Sequence, residues 1–220
     1  QEGMQMGRLQ NKSNIRRAGE TAAFQTYTED TNMAEYLDVI DDNGNLTGET
    51  VAREVAHRDG IRHRTSHLWL LRKKDGALQI LLQKRSADKP SFPNCYDISS
   101  AGHIPAGGEF ASSALRELKE ELGITAEEKD LIVCGDRNVV WDCVFQGKPF
   151  HDRQISRVFI MRCDLEEDQF HIDPVEVDSV RWMDFEKCIH GVEQNTFLNC
   201  ISLEELQMVR KKLSEKEKLW

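Results

Sequence analysis

Short hydrophobic runs separated by polar turns dominate the chain. Within these runs apolar side chains are continuous or alternate with polar ones, which is typical of β-strands buried on one or both faces. Turn sequences such as Asp-Asn-Gly-Asn and Lys-Lys-Asp-Gly join several runs into antiparallel hairpins. The predicted strands are residues 36–40, 46–51, 67–71, 77–83, 97–101, 130–134, 138–145, 155–163 and 175–183.

One segment follows a helical period instead. Apolar positions between residues 111 and 122 recur every three or four residues, so at about 100° per residue they gather on one side of a helix. Gly123, which tolerates a left-handed backbone, ends this helix. The apolar positions are Ala111, Ala114, Leu115, Leu118 and Leu122.

Two further helices are predicted near the C-terminus. Residues 184–190 form a short helix that Asp184 caps. Residues 202–219 form a longer helix that begins with a capping box, in which Ser202 is followed by Glu205 three residues later.

This order of elements predicts the fold class and the domain organisation. Several strands, an embedded helix and a terminal helix indicate a mixed α+β domain. The polar stretch 1–32 has no sustained period and is predicted to be a flexible N-terminal leader or arm. Residues 33–220 are predicted to form a single domain with a C-terminal helix. The connection 54–63 and the loop 88–96, which contains two prolines, are predicted to be irregular.

The charge balance limits the partners. The 220 residues include 38 acidic and 29 basic side chains, a net charge of −9, which argues against duplex nucleic acid and anionic membranes as partners. No apolar run reaches the roughly 18 residues that a membrane span needs. The N-terminal residues also lack a signal peptide's apolar core, so a cytoplasmic location is expected. Six cysteines without a C-x-x-C pair predict reduced thiols.

The helix 111–122 also carries an acidic face. Glu117, Glu120 and Glu121 have the spacing that places side chains within about a third of the helix circumference. Like charges at this spacing destabilise a helix, so a cation is expected beside them. Carboxylate oxygens are hard ligands that suit Mg²⁺ or Mn²⁺.

The stretch from Gly102 to Ile124 reads G-H-I-P-A-G-G-E-F-A-S-S-A-L-R-E-L-K-E-E-L-G-I. It resembles the signature of the Nudix hydrolases, G-x5-E-x7-R-E-U-x-E-E-x-G-U, in which U is a bulky aliphatic residue. One position differs, because Gly108 stands where the signature has its first acid. Either the neighbouring Glu109 supplies that carboxylate, or the three helix glutamates suffice. The positions in register are Gly102, Arg116, Glu117, Leu118, Glu120, Glu121, Gly123 and Ile124.

The resemblance implies a fold and a reaction. It implies an α/β/α sandwich around a mixed β-sheet, and attack of water on a diphosphate with the help of Mg²⁺ or Mn²⁺. It also implies metal ligation by Glu117, Glu120 and Glu121, with Glu109 as a fourth contributor. Arg116 would orient Glu117 through a charge-assisted pair. Arg116, Glu117 and Glu120 are thereby the catalytic candidates of the helix.

A general base is harder to place from the sequence. The family uses either a signature glutamate or an acid on a later loop. The later candidates are Glu176, Asp178 and Asp152, of which Glu176 ranks first because it lies where an acidic loop meets a strand. Acidic loop residues are more often simply solvated.

Basic and histidine side chains supply candidates for substrate binding. Lys84 and Arg85 end a predicted strand, where they could hold phosphate. His103 lies inside the signature and is a third candidate. Together with His57, His63 and His67 it could also suggest a metal cluster, although isolated histidines mostly satisfy local hydrogen bonds.

A second resemblance points to a different reaction. The segments R-H-R, Q-K-R-S, F-P and S-S-A-G-H between residues 57 and 104 resemble the branch of the superfamily that contains type I isopentenyl-diphosphate isomerases. Ala101 stands where those enzymes have their catalytic cysteine, and Gln154 where they have an acid. Neither side chain can exchange a proton with carbon, so the isomerase is the alternative and not the main hypothesis.

The expected partner is a small-molecule diphosphate, either a nucleoside diphosphate derivative or another organic diphosphate. Specificity is expected in the histidine-rich connection 54–63, the loop 90–96 and the hairpin 141–152. A non-catalytic domain that only binds a diphosphate is a third hypothesis, supported by Gly108. A homodimer is possible, although no apolar stripe in the sequence supports it.

Overall fold

The structure, a computed structural model, describes residues 34–145 and 147–215. The leader predicted for residues 1–32 lies outside the described residues. The first described element is a hairpin of β1 (Tyr36–Ile40) and β2 (Leu46–Ala52), which pair as a two-stranded antiparallel sheet. The predicted hairpin is therefore present.

A short helix, α1 (Arg53–Asp59), follows the hairpin where the sequence predicted an irregular connection. The prediction was wrong because the helix has only seven residues and buries few apolar side chains, so no helical period is visible. Gly60 ends it in the left-handed conformation, with φ 68°.

A mixed sheet forms the centre of the domain. Within the described residues it has seven strands, in the order β5-β4-β3-β8-β7, with β6 paired to β3 and β9 to β4. The β3–β8 pair is parallel and the other pairs are antiparallel. The strands are β3 (His63–Lys74), β4 (Ala77–Arg85), β5 (Tyr96–Asp97), β6 (Ser100–His103), β7 (Ile132–Phe145), β8 (Lys148–Arg162) and β9 (Val177–Asp184).

Helices cover both faces of this sheet. On one face α2 (Phe110–Leu122) packs its apolar side against Leu68 and Leu70 of β3. On the other face α3 (Phe185–Glu193) and α4 (Leu203–Glu215) pack against Trp69 and Leu71 of the same strand. Alternate residues of β3 therefore contribute to two separate hydrophobic cores, one on each face of the sheet. The arrangement confirms the predicted α+β sandwich around a mixed sheet.

The ends of several elements differ from the prediction. β7 is one strand where two were predicted, because a bulge between Val133 and Gly135 keeps it paired with β8 across the interruption. The cap of α3 is as predicted, since the Asp184 side chain accepts a hydrogen bond from the backbone amide of Lys187 at 2.9 Å. The predicted end of α4 at residue 219 lies outside the described residues.

The start of α4 differs from the predicted capping box. The Glu205 side chain is only 1% exposed. It accepts hydrogen bonds from His67 Nδ1 at 3.0 Å and from Trp69 Nε1 at 2.9 Å. The spacing typical of a capping box therefore marks a carboxylate buried between α4 and β3.

Candidate active site

The acidic helix α2 lies directly against β6, and Gly102 makes this approach possible. A Cβ atom at Gly102 would lie 1.9 Å from Oε1 of Glu117. Any other residue type would place a side chain in this space. The glycine at the start of the signature therefore leaves room for the Glu117 carboxylate.

Arg116 joins two of the glutamates. Its Nη2 donates to Glu117 Oε1 at 2.6 Å, and its Nη1 donates to Glu120 Oε2 at 2.7 Å. Nη2 also donates to the backbone oxygen of His103 at 3.2 Å. The guanidinium thus supplies positive charge between carboxylates that would otherwise repel one another.

The three glutamates differ in their exposure. The Glu120 side chain is 56% exposed, whereas that of Glu117 is 16% exposed and Glu121 is buried. Burial raises the pKa of Glu121 to about 8, against the effect of hydrogen bonds from Ser100 and the amide of Ala101. Burial also raises the pKa of Glu117, and Arg116 opposes this shift. A further cation would stabilise the charged form of both Glu117 and Glu121.

This donor set fits Mg²⁺ or Mn²⁺. Three carboxylates lie on one side of α2, and burial raises the pKa of two of them. The three carboxylates do not form a compact cage. Within the described residues, the group whose possible ligand atoms all lie within 4.8 Å of one another consists of histidines and not of these glutamates. Mg²⁺ typically takes only one or two protein carboxylates and fills its shell with water and phosphate oxygens.

The loop before α2 explains the glycine at the first acidic position of the signature. A Cβ atom at Gly108 would lie 2.9 Å from the backbone oxygen of Pro105, so the turn leaves no room for a side chain. Glu109 occupies the N-cap position of α2, and its side chain makes no capping hydrogen bond. It is exposed and contributes to the raised pKa of Arg157.

A cleft of about 570 Å³ lies on the other side of the sheet from α2. Its floor includes His67 and Glu205, so it lies on the face of the sheet that α4 covers. Ala101 and Gln154, the two positions that separate the chain from the isomerases, both line it. Ala101 contacts both faces of the sheet. It lines the cleft on one face, and its backbone amide donates to Glu121 Oε2 of α2 on the other face at 3.3 Å.

Aromatic side chains gather at the cleft. Phe92 and Trp141 line it and stack on each other with ring centroids 5.3 Å apart. Phe145 contacts both rings, and Phe150 continues the cluster from the opposite strand of the hairpin. Two of the segments predicted to set specificity, the loop 90–96 and the hairpin 141–152, therefore meet at the cleft.

Three histidines form a cluster. His57 of α1, His63 at the start of β3 and His103 at the end of β6 have ligand atoms within 4.8 Å of one another. Burial lowers the pKa of His57 to about 3, with His63 as a second cause. Burial also lowers the pKa of His63 and brings that of His103 well below its usual value. Their rings are neutral at physiological pH, which is the form that can bind metal.

The other predicted residues lie in ion pairs. Lys84 Nζ contacts Asp178 Oδ2 at 3.0 Å, and Arg85 Nη1 contacts Asp97 Oδ2 at 3.0 Å. Glu176 forms an ion pair with Lys89. None of Lys84, Arg85 and Glu176 is among the described residues that line the cleft.

Of the three later acids, only Asp152 lines the cleft. Burial raises its pKa to about 6. Sequence reasoning ranked Glu176 above it, because Asp152 reaches the cleft through the pairing of β7 with β8, in which Trp141 lies opposite Asp152. The pairing of two residues 11 positions apart in the chain leaves no local pattern. The pairing of His67 with Glu205 was missed for the same reason.

No helix in the described part of the chain is long and apolar enough to cross a membrane.

Comparison with known proteins agrees with this geometry. A model of the NUDIX domain matches residues 61–197. The chain is 35% identical over 159 residues to Nudix hydrolase 3 of Arabidopsis thaliana, which covers 70% of this chain and 20% of that protein. It is 26% identical over 155 residues to an isopentenyl-diphosphate Delta-isomerase of Aliivibrio fischeri, which covers 68% of this chain and 80% of that protein.

The fold is similar to that of DR0079 from Deinococcus radiodurans, with a TM-score of 0.55 at 19% identity over 80% of this chain and 98% of that one. The isomerase relative agrees with the second resemblance in the sequence. The chain spans only a fifth of the length of the plant relative. With the family model matching more than half of the chain, and the signature helix lying on a mixed sheet with helices on both faces, the chain belongs to the Nudix family.

Proposed function

We propose that the chain is a Mg²⁺- or Mn²⁺-dependent hydrolase that cleaves a diphosphate linkage by attack of water. The substrate class is a nucleoside diphosphate derivative or another organic diphosphate. The observation that carries this proposal is the placement of Glu117 against Gly102, with Glu120 and Glu121 on the same helix. The sequence supplied the glutamates, and the contact with Gly102 supplies the reason for their fixed position.

The residues of the helix have separate roles in this proposal. Glu117, Glu120 and Glu121 hold the divalent ion, which when bound neutralises the negative charge of the diphosphate oxygens. Arg116 orients Glu117 and Glu120 through the two short hydrogen bonds and keeps their charge balanced before substrate enters. Glu109 is exposed beside the N-terminus of α2 and remains a fourth candidate ligand.

The residues predicted to bind substrate or to act as the general base have less support than the helix glutamates. Lys84, Arg85 and Glu176 are each engaged in an ion pair, so each would have to leave its partner to act. His103 contacts the site through its backbone oxygen, which accepts from Arg116. A signature glutamate therefore has better support as the base than Glu176.

The isomerase alternative has less support. Ala101 and Gln154 line one cleft, so the two positions that would exchange protons with an allylic substrate do lie together. Their side chains carry no group that can gain or lose a proton near neutral pH. A domain that binds a diphosphate without turnover is the third alternative, and the glutamate set argues against it.

A screen for phosphate release tests the proposal. Purified protein is incubated with nucleoside diphosphate derivatives and organic diphosphates in the presence of Mg²⁺ or Mn²⁺. We expect metal-dependent turnover of at least one compound and a loss of at least about 100-fold in Glu120→Gln and Glu121→Gln, since both remove a charge that acts on the transition state. Glu128→Gln, which changes an exposed glutamate outside the site, is the matched control.

Two outcomes would overturn the proposal. Metal-dependent turnover that survives both substitutions would remove the assigned glutamates from the reaction. Tight binding of a diphosphate without turnover of any compound would favour the binding domain. Dimerisation and a cytoplasmic location remain predictions from the sequence alone.

A further inference from the structure

Phe92 has an unusual backbone conformation at the cleft that it lines. Its φ angle is 50°, and the next residue is Pro93. A positive φ is rare for a bulky side chain, and a following proline normally keeps the residue before it extended. Backbone conformations of this kind persist only where the surrounding structure holds them, and they are frequent where proteins bind ligands. The neighbours of Phe92 therefore have to hold it in place.

Hydrogen bonds on both sides of Phe92 hold this conformation. Before it, Arg85 donates from Nε and Nη2 to the backbone oxygen of Ser91, at 3.2 Å and 3.0 Å. Arg85 Nη2 also lies 3.2 Å from Ser91 Oγ. After it, the amide of Asn94 donates to the backbone oxygen of Arg85 at 3.2 Å, and the amide of Cys95 donates to that of Phe92 at 3.3 Å. Arg85, a predicted phosphate ligand, thus holds the loop that carries Phe92.

The ring of Phe92 reaches across the cleft. Phe92 lies between β4 and β5, whereas Trp141 is in β7, and β3 and β8 separate β4 from β7 in the sheet. The rings of Phe92 and Trp141 nevertheless stack with centroids 5.3 Å apart, and Phe145 packs against Phe92 at 5.4 Å. His67 of β3, one of the strands in between, lines the same cleft. The stacked pair Phe92–Trp141 therefore bridges the cleft, and we call this pair the aromatic roof.

The aromatic roof is fixed before any ligand arrives. Its ring separation lies within the range of about 4.5–7 Å that stacked aromatic pairs prefer. Phe92 is half-buried, whereas Pro93 and Asn94 at the tip of the same loop are exposed, so the ring is the part of the tip that turns inward. A rigid wall discriminates between ligands by size, whereas a flexible wall repacks around each of them.

We propose that Phe92 and Trp141 form a size filter for the cleft, and that Arg85 is the residue that positions Phe92. The filter sets an upper limit on the width of the organic group that the cleft admits. Its part in the reaction rests on the proposed function, since it places the organic group of the diphosphate in the cleft. Ala101 connects this cleft with the carboxylates, because it lines the cleft and its amide donates to Glu121.

A bulky fluorescent probe tests the filter without any enzymatic assay. N-phenyl-1-naphthylamine is a neutral ring compound whose fluorescence rises when it leaves water, and titration gives its dissociation constant. Removing the Phe92 ring enlarges the opening, so we expect Phe92→Ala to bind the probe at least about tenfold more tightly than the unaltered protein. Trp141→Ala removes the other half of the aromatic roof and should act in the same direction.

Two control variants accompany this titration. Val144→Ala shortens an exposed side chain of β7 that is not among the described residues lining the cleft, and it should bind the probe like the unaltered protein. Phe92→Tyr retains the ring, so it should bind the probe as weakly as the unaltered protein.

The positioning role of Arg85 has a separate readout. Arg85→Lys keeps the positive charge but cannot make the contact of two nitrogen atoms with Ser91. We expect it to tighten probe binding at least about threefold, and to have no further effect when it is combined with Phe92→Ala. Additive effects in the double variant would show that Arg85 does not act through Phe92.

Substrate kinetics test the filter in the reaction. Two substrates from the phosphate-release screen are chosen to differ in the size of the organic group. We expect Phe92→Ala to raise kcat/KM for the larger substrate relative to the smaller one at least about tenfold. An unchanged ratio would overturn the role of the filter in the reaction.

The probe also defines the results that overturn the filter itself. Equal affinity in the unaltered protein and Phe92→Ala, including absence of binding in both, would overturn it. Weaker binding in Phe92→Ala would do the same, because the ring would then be a surface on which the ligand stacks. Circular dichroism checks the fold of each variant, and Trp141→Ala carries the test if Phe92→Ala does not fold. A protein without diphosphatase activity would remove the proposed function and leave the probe results unaffected.

Discussion

At the scale of single residues, Gly102 shows how the backbone controls the chemistry of a side chain. The contribution of this glycine is the space in which the Glu117 carboxylate lies. A methyl group there would overlap the carboxylate oxygen, at a distance of 1.9 Å. Glu117 would have to leave its contact with Arg116, its neighbour on α2.

Substitution of Gly102 by alanine tests this contact. We expect Gly102→Ala to reduce the diphosphatase activity by at least about tenfold, because misplacing a group by 1 Å costs up to about 100-fold. Steady-state kinetics measure the effect. In a double-mutant cycle the loss should not add to that of Glu117→Gln, because both changes remove the same carboxylate. Additive losses would show that Gly102 acts elsewhere.

A second residue-scale feature is the buried ion pair of His67 and Glu205. The pKa of His67 is raised by the Glu205 carboxylate, which outweighs the effect of burial. The pKa of Glu205 is lowered, mainly by His67, again against the effect of burial. Trp69 donates to the same carboxylate, and Arg137 lies 3.7 Å from it. Removing one partner of a buried pair typically costs about 3–5 kcal/mol.

The pH dependence of stability tests this pair. The raised pKa of His67 contributes stability that is complete below 6.5, the ordinary histidine value, and is lost as pH rises through the folded pKa. The lowered pKa of Glu205 contributes stability that is complete above 4.5 and is lost as pH falls through the folded pKa. We therefore expect the difference in unfolding free energy between the unaltered protein and Glu205→Gln to be largest between pH 4.5 and 6.5.

Urea unfolding at a series of pH values measures this difference. A difference that stays constant from pH 4 to 8 would mean that the two side chains do not form an ion pair in the folded protein.

At the scale of elements, the C-terminal end of α2 fixes the glutamates against the neighbouring loop. Gly123 ends the helix with φ 72°, and a Cβ atom there would lie 2.6 Å from Cβ of His171. The backbone amides of His171 and Asp173 donate to the oxygens of Leu122 and Glu121. The helix end is therefore bonded to the loop that follows β8.

Substitution of Gly123 tests this contact. We expect Gly123→Ala to destabilise the protein by about 1–3 kcal/mol for the left-handed backbone alone, with a further loss from the clash with His171. Gly76→Ala is the matched control, because Gly76 has φ 79° and nothing lies within 4 Å of the added methyl group. Thermal unfolding measures both. Equal losses in the two variants would show that the contact with His171 contributes nothing.

The same helix shows what the sequence could predict about the elements. The period of its apolar residues, its acidic face and Gly123 are local signals, and they predicted α2 and its end. α1 gave no signal because it is seven residues long and is held by its neighbours. Gly102 and Glu117 are 15 positions apart, so their contact depends on the pairing of β6 with β3, which no local pattern records.

At the scale of the whole molecule, the two faces of the sheet carry side chains of different chemistry. One face carries α2 and its carboxylates, and the other carries the cleft, the aromatic cluster and the histidines. The family and its glutamates were predictable because the signature is contiguous in sequence. The sequence pointed to four histidines, but it could not show that His57, His63 and His103 meet without His67, or that Asp152 lies beside His57, since these residues come from α1, β3, β6 and β8 and meet only in the folded chain.

The two faces also bear on the choice between reaction classes. The proposed hydrolysis uses the carboxylates of α2, whereas isomerisation would need a proton-exchanging pair at the positions of Ala101 and Gln154 in the cleft. We expect no conversion of isopentenyl diphosphate to its dimethylallyl isomer, measured by chromatography of the products. A rate of isomerisation above that of a protein-free control would support the isomerase hypothesis.

The central claim, that water attacks a diphosphate at a site formed by the glutamates of α2, is tested most directly by hydrolysis in water enriched in ¹⁸O. The substrate identified by the phosphate-release screen is incubated with Mg²⁺, and the products are analysed by mass spectrometry. The account predicts one ¹⁸O atom in one of the two phosphate products and loss of this product in Glu120→Gln and Glu121→Gln. Products without ¹⁸O, or labelled products formed undiminished by both variants, would contradict it.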